Sequence, residues 1–310
     1  MPLPLRLVDG NHLLVDNSSL EVFTTCPRAA QYHFINHRRS AEERSPLIFG
    51  GIIHKALDVR YRSNSVMLAQ TPEIEANMVA VVEKGFQDWT PKEDDFRTHS
   101  FAVELINKYG LAYPFEPFEV LTVDGKPFVE IPFAIPLGEI DSAVYGKIVI
   151  IWTGKIDLVY RHDKRIYVLD HKTTSMMGPS FFVDFELSHP MHGYCWAVEQ
   201  LLGEPVYGYV INALATRKPT KTGKALEFER KPYSLSRPHL EEWKTDTMHI
   251  VSDFIAMAER GYMPKHTKWC VAKYGTCPYH KVCVLPPEQR EFMIGSGEFE
   301  EITWSPLNES

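Results

Sequence analysis

Two aspartates and a lysine carry the strongest chemical signal in the sequence. Asp157 closes Gly154-Lys155-Ile156-Asp157, and Asp170 opens Asp170-His171-Lys172-Thr173-Thr174. The residues around them, Ile148 to Tyr160 and Ile166 to Leu169, are rich in β-branched and aromatic types, so both aspartates ride on strands. The polar break 161–165 can turn as a hairpin with Asp163-Lys164 as its two-residue loop, although Asp-Lys is not a strong sequence for that turn. Such a loop sets residue 162 opposite 165 and, counting back, Asp157 opposite Asp170. Facing Cβ atoms then stand roughly 4.5–5.5 Å apart, and like charges at that range repel unless something positive lies between them. Alternation puts Lys172 on the face of Asp170 and turns His171 away. Two carboxylates and an ammonium in one small volume suit hydrolysis of a phosphodiester. A divalent cation between carboxylates activates a water and offsets charge growing on phosphorus. A lysine orients that water or stabilises the charge. On an ordinary surface hairpin the same residues would be scattered charges. The apolar setting, with Ile156 before Asp157 and Val168-Leu169 before Asp170, favours a site.

Two further residues could join them. His54 follows Gly50-Gly51, a pair that lets a helix start close to another backbone. Ile53, Ala56, Leu57 and Tyr61 mark the buried face of that helix, and His54 sits beside it within the first turn or so, as a core residue or as a ligand. Glu130 lies in the apolar run 128–133, and counting from the hairpin turn at Asp124-Gly125 sets it opposite Glu119.

The elements that must position these residues read as follows. Asn17 opens a helix with capping-box spacing at Ser18 and Glu21, and it stops at Cys26-Pro27, where Pro27 suits the first turn of the next helix. His37-Arg38-Arg39 is a solvated helix end or a phosphate contact. Thr71-Pro72-Glu73 starts a helix whose Ile74, Met78, Val82, Phe86 and Trp89 form a core stripe, and a second helix spans Phe96 to Tyr109. Ser188 or His189 caps a helix with Pro190 at its first position. Its Tyr194, Ala197, Val198, Leu201 and Leu202 pack, and Gly203 ends it. A strand follows from Val206 to Ala213, then a loop with Arg217, Lys218, Lys221 and Lys224 that is either merely soluble or a DNA contact. Arg237 to Arg260 is a long helix. The segments fall into N-terminal helices over 17–48, a helical insertion over 60–112, a core over 117–215, a C-terminal helix with cysteines over 236–285, and an acidic tail over 286–310, all within a single domain of 1–310.

The bulk numbers exclude several classes. The 310 residues carry a net charge of −7, so any nucleic-acid contact must use a local basic patch. No apolar run is long enough to span a membrane. The N-terminus lacks a secretory apolar region, which points to the cytoplasm. Five cysteines in such a protein are an improbable disulfide framework. Cys270, Cys277 and Cys283 crowd one loop-rich stretch and lack a fourth partner, which Cys26 could supply. No Cys-x-x-Cys knuckle of the kind zinc favours is present, so the spacing reads better as an iron–sulfur site, with zinc still possible. Cys195 sits among packing residues.

Taken together, these residues resemble the RecB-like branch of the PD-(D/E)XK nuclease superfamily, in particular its iron–sulfur exonucleases of CRISPR-associated and AddB-like type, which are often phage-encoded. The resemblance rests on Ser19-Leu20-Glu21 through Cys26-Pro27-Arg28 to Tyr32, on Gly51-x-x-His54, on Gly154-x-Ile156-Asp157, on Asp170-His171-Lys172-Thr173, and on the four cysteines, in that order along most of the chain. It implies an α/β fold, a restriction-endonuclease-like mixed sheet flanked by helices, with a helical insertion and an iron–sulfur-stapled C-terminal lobe. It implies Mg2+ or Mn2+ held by His54, Asp157, Asp170 and the His171 carbonyl, with Lys172 positioning water and Glu130 as a further acidic position. It implies a structural [4Fe–4S] cluster on Cys26, Cys270, Cys277 and Cys283. DNA contacts would involve Arg28, Arg38, Arg39 and Tyr194. The family's usual Gln four residues before that Tyr is Pro190 here, and His189 or His192 would take over its role.

The resulting expectation is a metal-dependent deoxyribonuclease, an exonuclease more than an endonuclease, acting on single-stranded DNA or duplex ends in recombination, replication or repair. It would work in a bacterial, archaeal or phage-infected cytoplasm. The alternative is a non-catalytic DNA-binding or assembly subunit that keeps fold and cluster; a zinc-stapled interaction protein is a third reading. No nucleotide-binding Gly-x-x-x-x-Gly-Lys-Ser/Thr loop is present, so a helicase or recombination protein would have to be a separate partner.

Overall fold

The structure, a computed structural model, describes residues 1–41, 44–63, 69–221, 223, 225–272 and 275–302. In chain order these form β1 (His12–Val15), α1 (Asn17–Thr25), α2 (Pro27–Ala30) continued by a π-helical turn (Gln31–Ile35), β2 (Arg38–Ser40), α3 (Ser45–Arg62), α4 (Pro72–Asp88), α5 (His99–Ala112), β3 (Glu119–Val120), β4 (Thr122–Val123), β5 (Lys126–Pro127), β6 (Val129–Ser142), β7 (Gly146–His162), β8 (Arg165–Thr174), α6 (Pro179–Val183), α7 (His189–Leu202), β9 (Val206–Thr216), β10 (Leu226–Ser234), α8 (Arg237–Glu259), β11 (Val271–Ala272), β12 (Gly275–Thr276), α9 (His280–Val284), α10 (Pro287–Ile294) and β13 (Phe299–Glu301). They divide into two compact units. One gathers 1–43, 133–154 and 241–310; the other gathers 44–132 and 155–240.

The second unit is built on a mixed sheet. The later half of β7 runs antiparallel to β8, β8 parallel to β9, and β9 antiparallel to β10. The hairpin loop is the expected pair, since Asp163 (φ 47°) and Lys164 (φ 64°) both adopt the left-handed conformation that a two-residue primed turn requires. Residue 162 therefore faces 165, and Leu158 faces Leu169. On one side α3, α4 and α5 close over a core that includes Ile53, Ala56, Leu57, Met78, Val82, Leu105, Leu158 and Leu169. Thr71 caps α4 and Thr98 caps α5, each through its hydroxyl. Ser188 caps α7, and Gly203 ends it in the left-handed conformation (φ 67°).

Several expectations need correction. The cap of α1 is Asp16, which trades hydrogen bonds with Ser19, so the box lies two residues ahead of Ser18 and uses a shorter partner than Glu21. Gly50 and Gly51 do not start α3; Ser45 and Pro46 do, and the glycines lie inside the helix. Gly50 still serves close packing, because a Cβ there would meet Thr173 Oγ1 of β8 at 3.0 Å. The turn at Asp124-Gly125 pairs only β4 with β5, and Glu119 faces Arg161 of β7 rather than Glu130. Leu201 is exposed. β10 is not among the strands read from the sequence, and its Leu226, Phe228 and Arg230 alternate with exposed Glu227 and Glu229. Arg217 pairs with Glu227 and the Met177 carbonyl, and Lys224 lies outside the described residues.

The first unit holds both ends of the described chain. β1 runs parallel to the early half of β7. Phe23 of α1 stacks on Phe254 of α8 at 3.8 Å, and Trp152 meets Trp243 edge to face. The acidic tail is a packed flap over its described part: β13 pairs antiparallel with β2, and Phe299 and Ile294 join a small core with Tyr32, Tyr279 and Val282. Residues 303–310 lie outside the described residues.

A buried ion cluster holds the second unit together. Glu116 receives Arg60 at 3.2 Å and Arg230 at 2.5 Å, and the Tyr61 hydroxyl donates to it at 3.0 Å. Removing one partner from such a group strands the others in a low-dielectric interior, at a cost of about 3–5 kcal/mol. Glu116→Ala should lose that much stability by urea unfolding. A loss below about 1 kcal/mol would show that the two guanidiniums find other partners.

Candidate active site

Four elements of the second unit converge on one polar volume. α3 contributes His54, about two and a half turns from its start and not in the first turn as expected. The first residues of β6 contribute Glu130, held at φ 51°. β7 contributes Lys155 and Asp157, and β8 contributes Asp170 and Lys172. Ile53, Ala56 and Leu57 bury the neighbouring face of α3, which fixes the direction in which His54 projects.

The geometry is specific. Candidate ligand atoms of His54, Glu130 and Asp157 all lie within 4.8 Å of one another. His54 Nδ1 stands 3.4 Å from Asp157 Oδ2, and the same oxygen accepts the backbone N–H of His171 at 2.8 Å. Asp157 and Asp170 occupy the next places in the β7–β8 register after Leu158 and Leu169, and here the regular ladder gives way to that side-chain hydrogen bond. Lys172 Nζ lies 2.5 Å from Asp170 Oδ2, and Lys155 Nζ lies 2.5 Å from Glu130 Oε2. Glu130 stands within the tight set, and Asp170 stands just outside it, close enough to feel the charges of Asp157 and His54.

Burial and charge oppose one another across the site. Burial pushes the Asp157 carboxyl up, but the charge and hydrogen bond of His54, with the charge of Lys172, outweigh it and hold Asp157 below the usual carboxylate range. Asp170 goes the other way: burial and then the Asp157 charge raise it, against the pull of Lys172. Burial lowers His54, yet the charge and hydrogen bond of Asp157 leave it above the ordinary imidazole value. Glu130 is raised by burial and by Asp157. Two carboxylates pushed in opposite directions are a signature of paired acid and base roles.

The donor set fits a hard divalent cation. Carboxylate oxygens with one imidazole nitrogen suit magnesium or manganese better than a thiolate-seeking metal. Asp170 Oδ2 is buried and accepts no well-directed hydrogen bond among the described residues, although the Lys172 ammonium lies against it. The His171 ring turns to the face of β8 opposite Asp170 and Lys172, as alternation requires, where it stacks on Tyr61 and meets the His54 ring edge to face, while its backbone N–H reaches Asp157.

Other expected residues are placed as follows. Tyr194 of α7 lies close to Lys172. His189 is half-buried in the first turn of α7, whereas His192 is buried, its ring against Tyr209 and His239, and is not available to a DNA backbone. Arg28, Arg38 and Arg39 belong to the other unit. Arg28 donates to the Met263 carbonyl and lies over the Tyr262 ring. Arg38 and Arg39 face Glu301 and Glu300 at 3.5 and 3.8 Å. Cys26, Cys270, Cys277 and Cys283 are free thiols in that unit. Cys277 is raised by burial and then by the other three thiols, and its N–H donates to the Cys270 carbonyl at 2.9 Å. Lys155 escaped sequence reasoning, although its i, i+2 spacing to Asp157 on a strand puts both on one face.

The sequence model of the PD-(D/E)XK nuclease superfamily matches residues 17–284. This chain belongs to that superfamily. Among curated proteins none matches the sequence. Among solved structures, this member of the superfamily is similar to a protein of Eubacterium rectale described as a putative exonuclease, at 12% identity over 91% of this chain and 94% of that one, with a TM-score of 0.47. It is also similar to an alkaline exonuclease of Laribacter hongkongensis, at 9% identity over 67% and 89% of the two chains, with a TM-score of 0.26. Likenesses this loose carry no argument about activity. The superfamily's nucleases use divalent metals, in accord with the donor set above.

The site makes one electrostatic prediction. In metal-free protein, His54 should titrate above the ordinary 6.5 because Asp157 outweighs burial. In Asp157→Asn only burial remains dominant, so the His54 value should fall below 6.5, read by NMR titration. An unshifted His54 would mean that the two side chains do not interact.

Proposed function

We propose that this chain is a metal-dependent deoxyribonuclease, acting as one nuclease domain and removing nucleotides from single-stranded DNA or exposed duplex ends. The single observation that carries the reading is the convergence of His54, Glu130 and Asp157 beside the Asp170–Lys172 pair, within a superfamily of nucleases. Magnesium or manganese on His54, Asp157 and Asp170, with Glu130 and the His171 carbonyl alongside, would supply Lewis acidity toward water and the phosphodiester.

The chain's own residues do the rest. Asp157, kept ionised, gives the site its fixed negative charge, and the His171 N–H holds one of its oxygens in place. Lys172 keeps three donors on a flexible stem at the mouth of the site, so it orients the attacking water and meets charge developing on a phosphoryl oxygen. Lys155 balances Glu130. Tyr194 and His189 lie at the start of α7 and serve as contacts to the strand, in place of the family's usual Gln, which is Pro190 here. Arg28, Arg38 and Arg39 act as backbone contacts. The setting is the cytoplasm, in recombination, replication or repair, with a helicase or recombination protein as a possible separate partner.

We infer further that Cys26, Cys270, Cys277 and Cys283 hold a structural [4Fe–4S] cluster. Support comes from the nearness of Cys26, Cys270 and Cys283 to Cys277, whose thiol they help to raise, and from the packing of Cys277 and Cys283 against the same small core as Ala29. Four partly buried thiols with no disulfide suit iron–sulfur ligation, and the cluster takes no part in hydrolysis.

A second reading, a DNA-binding subunit without turnover, is favoured by Pro190 and by the net charge of −7. One assay separates the two. End-labelled single- and double-stranded DNA is incubated with manganese, with and without chelator, using wild type, Asp170→Asn and Lys172→Ala. Each variant should lose roughly a hundredfold or more in rate. Binding with no cleavage by wild type under any divalent ion supports the second reading, and undiminished cleavage by both variants sinks the assignment of the site.

The cluster has its own test. Protein purified without oxygen should carry iron and labile sulfide, and Cys277→Ser should lose both. Zinc alone in the wild type would overturn the cluster.

A further inference from the structure

A second polar system starts from the face of β8 opposite Asp170 and Lys172. His171, Asn212 and Arg230 are direct register partners across β8, β9 and β10. Their side chains form one connected row. Asn212 Nδ2 lies 2.6 Å from His171 Nδ1, and Arg230 Nε donates to Asn212 Oδ1 at 3.2 Å. Asn212 is fully buried.

The chemistry of these groups fixes the direction of every bond. A guanidinium has donors only, so the carbonyl end of the Asn212 amide must face Arg230. The amide nitrogen is then left for His171 and for the Tyr109 hydroxyl at 2.9 Å. Arg230 also donates to the hydroxyls of Tyr109 (2.8 Å) and Tyr61 (3.1 Å). Tyr109 can therefore pass its own proton only toward Tyr61, 2.8 Å away, and Tyr61 passes its proton to Glu116. Arg230, paired with Glu116, polarises the row from one end. At its far end His171 Nδ1 has only the role of acceptor, which places the ring proton on Nε2.

The row reaches the site along two routes. His171 donates its backbone N–H to Asp157, and its ring meets the His54 ring edge to face, with centroids 5.8 Å apart. We propose that Asn212, oriented by Arg230, is a positioning residue for hydrolysis: it locks the His171 ring, and with it the backbone and His54 contact that set Asp157 and His54. This rests on the reading of the front face as a nuclease site.

Asn212→Asp tests it. The carboxylate keeps the pairing with Arg230 but offers His171 an acceptor in place of a donor, so the ring proton should move to Nδ1, visible in 15N NMR of the imidazole. Loss of such support around a metal site typically costs 10–100-fold in activity or metal affinity. We expect a kcat reduction in that range with KM for DNA changed by no more than about twofold, and weaker Mn2+ binding by calorimetry. A folded Asn212→Asp with wild-type kcat and Mn2+ affinity would overturn the proposal. If the variant does not fold, the wild-type tautomer decides: a proton on Nδ1 overturns it, and one on Nε2 supports it. Absence of DNA cleavage by wild type would defeat the nuclease reading instead, while the tautomer and the Mn2+ affinity would still judge the row.

Discussion

The register of the β7–β8 hairpin is the constraint on which the site depends. Side chains on a strand alternate, so a slip of one residue would send Asp170 and Lys172 to the far face and bring His171 forward. The turn at Asp163-Lys164 prevents that slip. Both residues adopt left-handed backbone, at a cost of order 1–2 kcal/mol each for non-glycine residues. The paired residues from 158–169 to 162–165 offset this cost, and their apolar members, Leu158, Val159, Val168 and Leu169, are buried. The same register then carries through β9 and β10, where it lines up Asn212 and Arg230 behind His171.

A fixed register brings carboxylates together, and the unit must answer the resulting charge. It does so with groups of opposite sign from different elements: His54 beside Asp157, Lys155 beside Glu130, Lys172 beside Asp170. The pairs are unequal in burial. Asp170 is 3% exposed and Asp157 9%, whereas both lysines keep about a third or more of their side chains in solvent. Buried acids with partly solvated ammonium partners can exchange those partners for a cation or a phosphate with little further desolvation, because the ammonium groups already sit at the water boundary.

The behaviour of the two faces of β8 follows from the same alternation. The front carries residues whose charge can be reassigned during a reaction. The back carries a row in which no bond can reverse, because at one end the Arg230 guanidinium, which only donates, is paired with the buried Glu116 carboxylate, which only accepts. A low dielectric strengthens such a row when it is complete and penalises it heavily when one member is missing. Burial also depresses His171 to about 3, so its ring stays neutral next to the site.

How much of this was legible in the residues differs from element to element. The hairpin, the face of Asp170 and Lys172, the core stripes of α3 and α4, and the cap and stop of α7 follow from local rules of alternation, helical spacing and turn chemistry, which act over a few residues. The superfamily was likewise readable, because its motifs are short and ordered along the chain. Local rules failed where the partner is distant. Ser18 and Glu21 have the spacing of a cap, but Asp16 takes the role because its carboxylate accepts the Ser19 N–H and the Ser19 hydroxyl accepts its own N–H in return. Glu119 seemed bound to Glu130 by a turn, but β3 pairs with β7 instead. β10 is recognised only by its pairing with β9, since its charged residues would equally suit a loop. Leu201 is apolar yet exposed. By itself, then, the sequence determined which residues share a strand face and which family they mark, since these depend on spacing alone. Only the tertiary structure decided that Glu130 stands within 4.8 Å of His54 and Asp157, that Lys155 pairs with it, and that Asn212 and Arg230 line up beside His171. Those choices depend on which strands become neighbours and how deeply they are buried, and no spacing along one chain contains that.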